Sequence, residues 1–143
     1  MKIIAYGSLL YKPSLERSLG RNATLTPLTL PGYKRVFNAP FGGYSYANIV
    51  PLPGTIIDAA YFEMSRSELA RFALREAGSD LMEVLPSYYA FIWPTALCLE
   101  LSVPQSYLDV CLSGAEQLGL DFWVGTTRPS VIASDRQSPV YQA

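Results

Sequence analysis

Thr55-Ile56-Ile57-Asp58-Ala59-Ala60-Tyr61-Phe62-Glu63-Met64 reads as the clearest long strand in the chain, and Ser65-Arg66-Ser67-Glu68 follows it at once. The Ser-x-x-Glu spacing is a capping box, in which each side chain satisfies a backbone N–H that the first helical turn leaves open. A helix from Ser65 should end near Arg75-Glu76, because Gly78 follows closely. Upstream, Lys2 to Tyr6 reads as a buried first strand halted by Gly7-Ser8. Pro13 to Leu19 reads as a helix closed by Gly20. Leu25–Leu30 and Tyr33–Phe37 read as two strands around Pro31-Gly32, with a loop from Ala39 to Tyr46. Tyr46–Val50 reads as a short strand, and Pro51-Leu52-Pro53-Gly54 as a forced turn. Downstream, Met82–Trp93 and Thr95–Ser102 read as strands interrupted at Pro86 and Pro94, before a helix from about Gln105 to Leu118. The order is strands, helix, strands, helix. Without βαβ alternation a doubly wound parallel sheet is excluded, and a mixed α+β fold with a curved or barrel-like sheet is expected.

Composition narrows the function. The 143 residues are 50% hydrophobic and only 16% charged, which excludes disorder and fits one domain spanning 1–143, with an irregular tail from about residue 121. A net charge of -1 offers no basic surface for a phosphate backbone, so no nucleic-acid partner is expected. The chain has no histidine, which removes Ser-His-Asp and Cys-His catalysis and every His-ligated metal site. Cys98 and Cys111 form no CxxC, and there is no GxGxxG and no Walker lysine; no metal and no cofactor are expected. The apolar stretch from Val84 to Val103 holds Pro86, Pro94 and Glu100, so paired strands are expected there and no membrane span. The first residues lack the shape of a signal peptide, and a reduced, cytoplasmic protein is the expectation. Nothing in the sequence sets the oligomeric state.

A few residues have chemical promise. Leu69, Phe72, Ala73 and Glu76 stand at i, i+3, i+4 and i+7, a stripe expected to face the core. Glu76 is then an inward acid in a last helical turn, where both burial and the helix dipole disfavour its anion. That suits a general base, and equally an acid paired with an arginine or turned to water. Asp58 shares a strand face with Ile56, Ala60 and Phe62; it is either a second acid or an aspartate at an edge or facing solvent. Tyr6-Gly7-Ser8-Leu9-Leu10 is a turn whose amides can cradle an anion, or an ordinary strand-ending turn. Gly114, inside the late helix, marks close packing near Tyr107, Cys111, Ala115 and Leu118, and Cys111 reads as a buried small residue rather than a nucleophile. The tail carries Trp123, Arg128 and Arg136; either arginine is a carboxylate binder or a surface charge.

Together these segments resemble the gamma-glutamylcyclotransferase-like superfamily, which includes the AIG2-like proteins. Ile4-Ala5-Tyr6-Gly7-Ser8-Leu9-Leu10 is similar to its first strand and loop, and Pro31-Gly32-Tyr33-Lys34-Arg35-Val36-Phe37-Asn38 to its second landmark. Asn48 to Gly54 is similar to the turn before its long strand, Leu74-Arg75-Glu76-Ala77-Gly78 to the segment with its catalytic glutamate, and Ser106 to Ala115 to its late helix. The resemblance implies a small mixed β-barrel with flanking helices, and a cofactor-independent reaction on a small-molecule γ-glutamyl amide. It implies that the substrate's own α-amine attacks its γ-carbonyl, giving 5-oxoproline and a free amine or amino acid. Glu76 would be the general acid/base, and Tyr6, Gly7, Ser8, Leu9 and Leu10 would bind the glutamyl end. This chain departs from the pattern at Leu9, where many relatives have Asn, at Ser79, where several have Tyr, and at Asp58-Ala59-Ala60, where a glycine is common. A non-catalytic small-molecule-binding module on the same fold is the alternative reading.

Overall fold

The computed structural model describes residues 1–94, 101–126 and 132–133. Its centre is the short strand β1 (Lys2–Ala5), whose residues alternate between two apolar clusters. Ile3 and Ala5 join the larger cluster, which also takes in the helices, while Ile4 joins a smaller one made of strand residues. This is the period of two expected of a strand covered on both faces. β1 pairs antiparallel with β3 (Tyr44–Glu63) and parallel with β5 (Tyr88–Ile92). β2 (Thr26–Phe41) lies beyond β3, and β4 (Asp80–Leu85) beyond β5, giving the order β2-β3-β1-β5-β4. The fold is α+β with a mixed sheet, as expected. The expected barrel is corrected in one respect: the sheet curves around the strand-only cluster but does not close, and β2 and β4 remain its two edges among the described residues.

Three segments expected to break the strands lie within them. The Pro31-Gly32 turn expected between two strands is a register shift inside the continuous β2, opposite the wider irregularity of β3. The loop expected over Ala39–Tyr46 is a hairpin end, with Gly42 and Gly43 at φ +57° and +83°, the left-handed pair that matches the twist of the flanking strands. The turn expected at Pro51–Gly54 is an outward bulge within β3. Pairing passes from Tyr33↔Pro51 to Pro31↔Ile56, and the exposed residues between them on β3 include Pro53, which has no N–H to give to a ladder.

The helices follow their caps. α1 (Lys12–Leu19) has Pro13 in its first turn and ends on Gly20 at φ +73°. α2 (Arg66–Arg75) has the full capping box: the Glu68 N–H donates to Ser65 Oγ at 3.2 Å, and the Ser65 N–H donates to Glu68 Oε1 at 2.9 Å. β6 (Val103–Pro104) leads into α3 (Gln105–Gln117), where a Cβ on Gly114 would lie 2.4 Å from the Leu10 carbonyl carbon. The close packing expected of Gly114 is therefore backbone on backbone. From residue 121 the chain forms a short helix, α4 (Asp121–Thr126), in keeping with the sequence of residues 120 onward, and beyond it β7 (Ile132–Ala133) pairs in parallel with β6. The strand expected over Thr95–Ser102 falls mostly outside the described residues, as do Cys98, Arg128 and Arg136. No helix of the described residues is long and apolar enough to cross a membrane.

Candidate functional site

The loop after β1 is built from behind. The Tyr6 carbonyl accepts two hydrogen bonds, from Arg35 Nε at 2.8 Å and from Trp123 Nε1 at 3.1 Å. The Arg35 guanidinium lies over the Trp123 ring at 4.9 Å. The Tyr6 hydroxyl donates to the Phe91 carbonyl at 2.5 Å. Burial above all, then the negative Glu76, raises the Tyr6 hydroxyl well above the usual phenol range, against the pull of Arg35 and Arg75, so it stays a donor. Gly7 admits no side chain: a Cβ there would lie 2.7 Å from the Tyr107 hydroxyl oxygen, which accepts the Ala47 N–H. Ser8 to Leu10 then forms a single 3-10 turn, in which the Leu10 N–H donates to the Gly7 carbonyl at 3.1 Å.

Glu76 arrives from α2. It stands just past the helix as its C-cap, with its N–H donating to the Phe72 carbonyl. Its carbonyl accepts the Ser79 N–H and the Ser79 hydroxyl, at 3.0 and 2.6 Å. The chain then turns through Gly78 at φ +99°, where a Cβ would strike the Trp93 ring at 2.6 Å. The expectation of Glu76 on a buried helix stripe is corrected. Phe72 is buried and Leu69 half-buried, but Ala73 is exposed, and the Glu76 side chain is partly exposed at 15%. α2 touches the core along one edge, through Phe72 and the half-buried Leu69. Nor is the carboxylate unpaired: Arg75 Nη1 donates to Glu76 Oε1 at 2.5 Å, while Arg75 Nη2 reaches Ser8 Oγ at 3.4 Å. One guanidinium thus ties the acid to the loop.

A cavity of about 380 Å³ opens between these parts. Tyr6, Gly7, Ser8, Leu9 and Glu76 all line it, so five of the six expected site residues meet in one place. Leu10 does not: it is buried in the core, and its backbone packs on Gly114. Asp58 does not line the cavity either, and it is neither a second acid there nor a surface residue. Its Oδ2 accepts the Trp123 N–H at 2.9 Å, its carbonyl accepts from Arg35 Nη2 at 2.5 Å, and its Oδ1 lies 3.9 Å from Arg35 Nη1. Burial brings Arg35 down to about 10, with Asp58 opposing the shift. Cys111 is fully buried, and burial pushes its thiol up to about 12, which leaves no thiolate near neutrality. Among the described residues, no group of three or more Cys, Asp and Glu side chains is placed to hold a metal ion.

Besides Arg35 and Trp123 behind the loop, the sequence reading missed four residues at the cavity. Arg75 and Arg17 line the cavity, and helical spacing marks neither as inward-facing. Trp93, also in the lining, is fixed by Asn48: the Trp93 N–H donates to Asn48 Oδ1 at 2.9 Å, and Asn48 Nδ2 donates to the Trp93 carbonyl at 3.0 Å. Asn48 is fully buried on a strand. A buried amide that needs partners on both ends is the signal that would have found it.

A solved structure of a gamma-glutamyl cyclotransferase superposes on 99% of this chain and on 98% of its own, with a TM-score of 0.76 at 15% sequence identity. The chain has the gamma-glutamyl cyclotransferase fold. The same fold is matched in an uncharacterized protein of Homo sapiens, with a TM-score of 0.76 and 17% identity over 93% of this chain and 90% of that one. YkqA from Bacillus subtilis matches with a TM-score of 0.69 and 17% identity over 91% of this chain, which spans 56% of YkqA. No protein-family model matches the sequence, and no curated protein matches it. The gamma-glutamyl cyclotransferase fold is thus carried here by a sequence that shares few residues with its structural neighbours.

Proposed function

We propose that the protein is a gamma-glutamyl cyclotransferase-type enzyme that releases 5-oxoproline and a free amine or amino acid from a γ-glutamyl amide. One observation carries the reading: a single cavity is lined both by the Tyr6–Leu9 loop and by Glu76. Its volume suits a ligand of dipeptide size. The substrate holds its own nucleophile and electrophile, so the protein has to fix a reactive conformer and carry protons from the α-amine to the leaving nitrogen. The Tyr6–Leu9 loop grips the glutamyl end. Glu76 takes a proton from the α-ammonium, and the freed lone pair attacks the γ-carbonyl to form the ring C–N bond. The ring nitrogen gives up a second proton as the amide C–N bond breaks, and both protons end on the leaving nitrogen, which departs as an ammonium. No oxidant, water or cofactor enters this balance.

A second reading, a binding module without turnover, is favoured by the Arg75–Glu76 pair, because a bound α-ammonium has to compete with Arg75 for the carboxylate. One experiment separates them: incubation with γ-glutamyl amino acids, γ-glutamyl amines and glutathione, with 5-oxoproline read by mass spectrometry beside Glu76→Gln. The expected result is turnover that falls roughly 10²- to 10⁴-fold in the variant, the usual contribution of a positioned acid/base. Full activity in Glu76→Gln refutes the assigned base. Binding without product establishes the module instead.

A further inference from the structure

The cavity has more cationic character than a γ-glutamyl end requires. Its charged lining residues among the described ones are Arg17, Arg75 and Glu76, two cations and one anion. Arg75 is engaged at the reacting end, by Glu76 and by Ser8. Arg17 is different. It stands in the last turn of α1, one turn beyond Ser14, which also lines the cavity, and it makes no hydrogen bond or ion pair among the described residues. Large apolar side chains share the lining: Trp93 is half-buried, while Phe41 and Leu74 are 62% and 79% exposed. Apolar surface left in water beside an unpaired guanidinium fits a ligand portion that is itself apolar and ends in an anion.

Resting on the reaction proposed above, we infer that the leaving group is an apolar amino acid whose carboxylate is held by Arg17, which makes Arg17 the specificity-determining residue. The charge balance agrees. A γ-glutamyl amino acid with an apolar side chain has two carboxylates and one ammonium, the complement of two cations and one anion. A γ-glutamyl alkylamine has one of each, and would leave the Arg17 cation unmatched.

The test compares γ-glutamyl-phenylalanine with γ-glutamyl-phenethylamine, which keeps the ring and lacks the carboxylate, in the wild type, Arg17→Gln and Arg17→Lys. Wild-type kcat/KM should favour the carboxylate-bearing amide by about tenfold or more, the discrimination typical of a charged group that gains or loses its partner. In Arg17→Gln the ratio should collapse toward about one, through KM for the phenylalanine substrate, and Arg17→Lys should restore part of it, since a point charge replaces the planar fork. Thermal melts establish that both variants are folded. Turnover of both amides with a wild-type ratio near one overturns this inference and leaves the cyclotransferase reading standing. If neither amide yields 5-oxoproline, that reading falls, and calorimetric Kd values for the same two compounds decide this one. A tenfold gap abolished by Arg17→Gln upholds it, and equal Kd values overturn it.

Discussion

The cavity has two walls made in opposite ways. The Tyr6–Leu9 wall is held from inside the protein: Trp123 is fully buried and Arg35 nearly so, and both donate to the Tyr6 carbonyl, while Gly7 is wedged against Tyr107 and Gly114 against Leu10. The Glu76 wall is the frayed end of a helix with one buried side chain, joined to the loop by a long contact from a partly exposed arginine. The loop proposed to grip the ligand is fixed by the core, and the acid proposed to carry protons sits at a helix end held by a partly exposed ion pair. A ligand that draws Glu76 away from Arg75 disturbs little, whereas anything that shifts Tyr6 disturbs the core.

Substitutions should separate the two walls. Trp123→Ala empties a buried site and strips the indole donor from the Tyr6 carbonyl, leaving the backbone N–H that Asp58 accepts, and should cost roughly 3–5 kcal/mol in denaturant melts. Gly114→Ala drives a methyl into the Leu10–Tyr11 backbone and should cost about 1–3 kcal/mol, with weaker ligand binding, since the intruded residues follow directly on the Tyr6–Leu9 loop. Alkali should act through the core behind that wall. The Cys111 thiol, ordinarily 9.0, is held up to about 12, so above pH 9 the unfolded chain releases a proton that the folded one keeps, and stability falls as pH rises. As pH nears 10, Arg35, brought down from 12.5 to about 10, works the other way, while Tyr6, held above its ordinary 10.0, works with Cys111; the two oppose each other and Cys111 dominates from pH 9 to 10. Over that single unit the loss from Cys111 should be on the order of 1 kcal/mol, and Cys111→Ala, melted under reducing conditions, should flatten it. The Glu76 wall should respond least. Arg75→Gln and Glu76→Gln should each change stability by less than ~1 kcal/mol, as partly exposed ion pairs do, while Glu76→Gln removes turnover. Had Glu76 been buried and unpaired, its amide would have stabilised the fold; the Arg75 contact removes that expectation. A large stability loss from either variant would erase the distinction between the walls.

What could be read from the sequence was local. Caps and helix ends depend on neighbours within a few positions, and Ser65, Glu68 and Gly20 marked their elements correctly. The loop Tyr6–Leu9 and Glu76 were also legible, because residue type and a family resemblance both pointed to them. Pro51–Gly54 was misread because a bulge and a turn use the same residues, and only pairing with Pro31 and Tyr33 tells them apart. The helical wheel misplaced Ala73 because a helix that touches the core along one edge buries less than its apolar stripe offers. Arg35 and Trp123 went unread for a different reason: they meet at Tyr6 from 29 and 117 positions away, and no short-range pattern encodes such a meeting.

That last contact has a consequence for how the molecule is made. Tyr6 leaves the ribosome well before the indole that completes its cradle, which is translated 117 residues later. A nascent chain can form β1 and α1 in that interval, yet the hold on the Tyr6 carbonyl waits for α4 to emerge. The cavity is therefore finished only on chains that have been translated past Trp123.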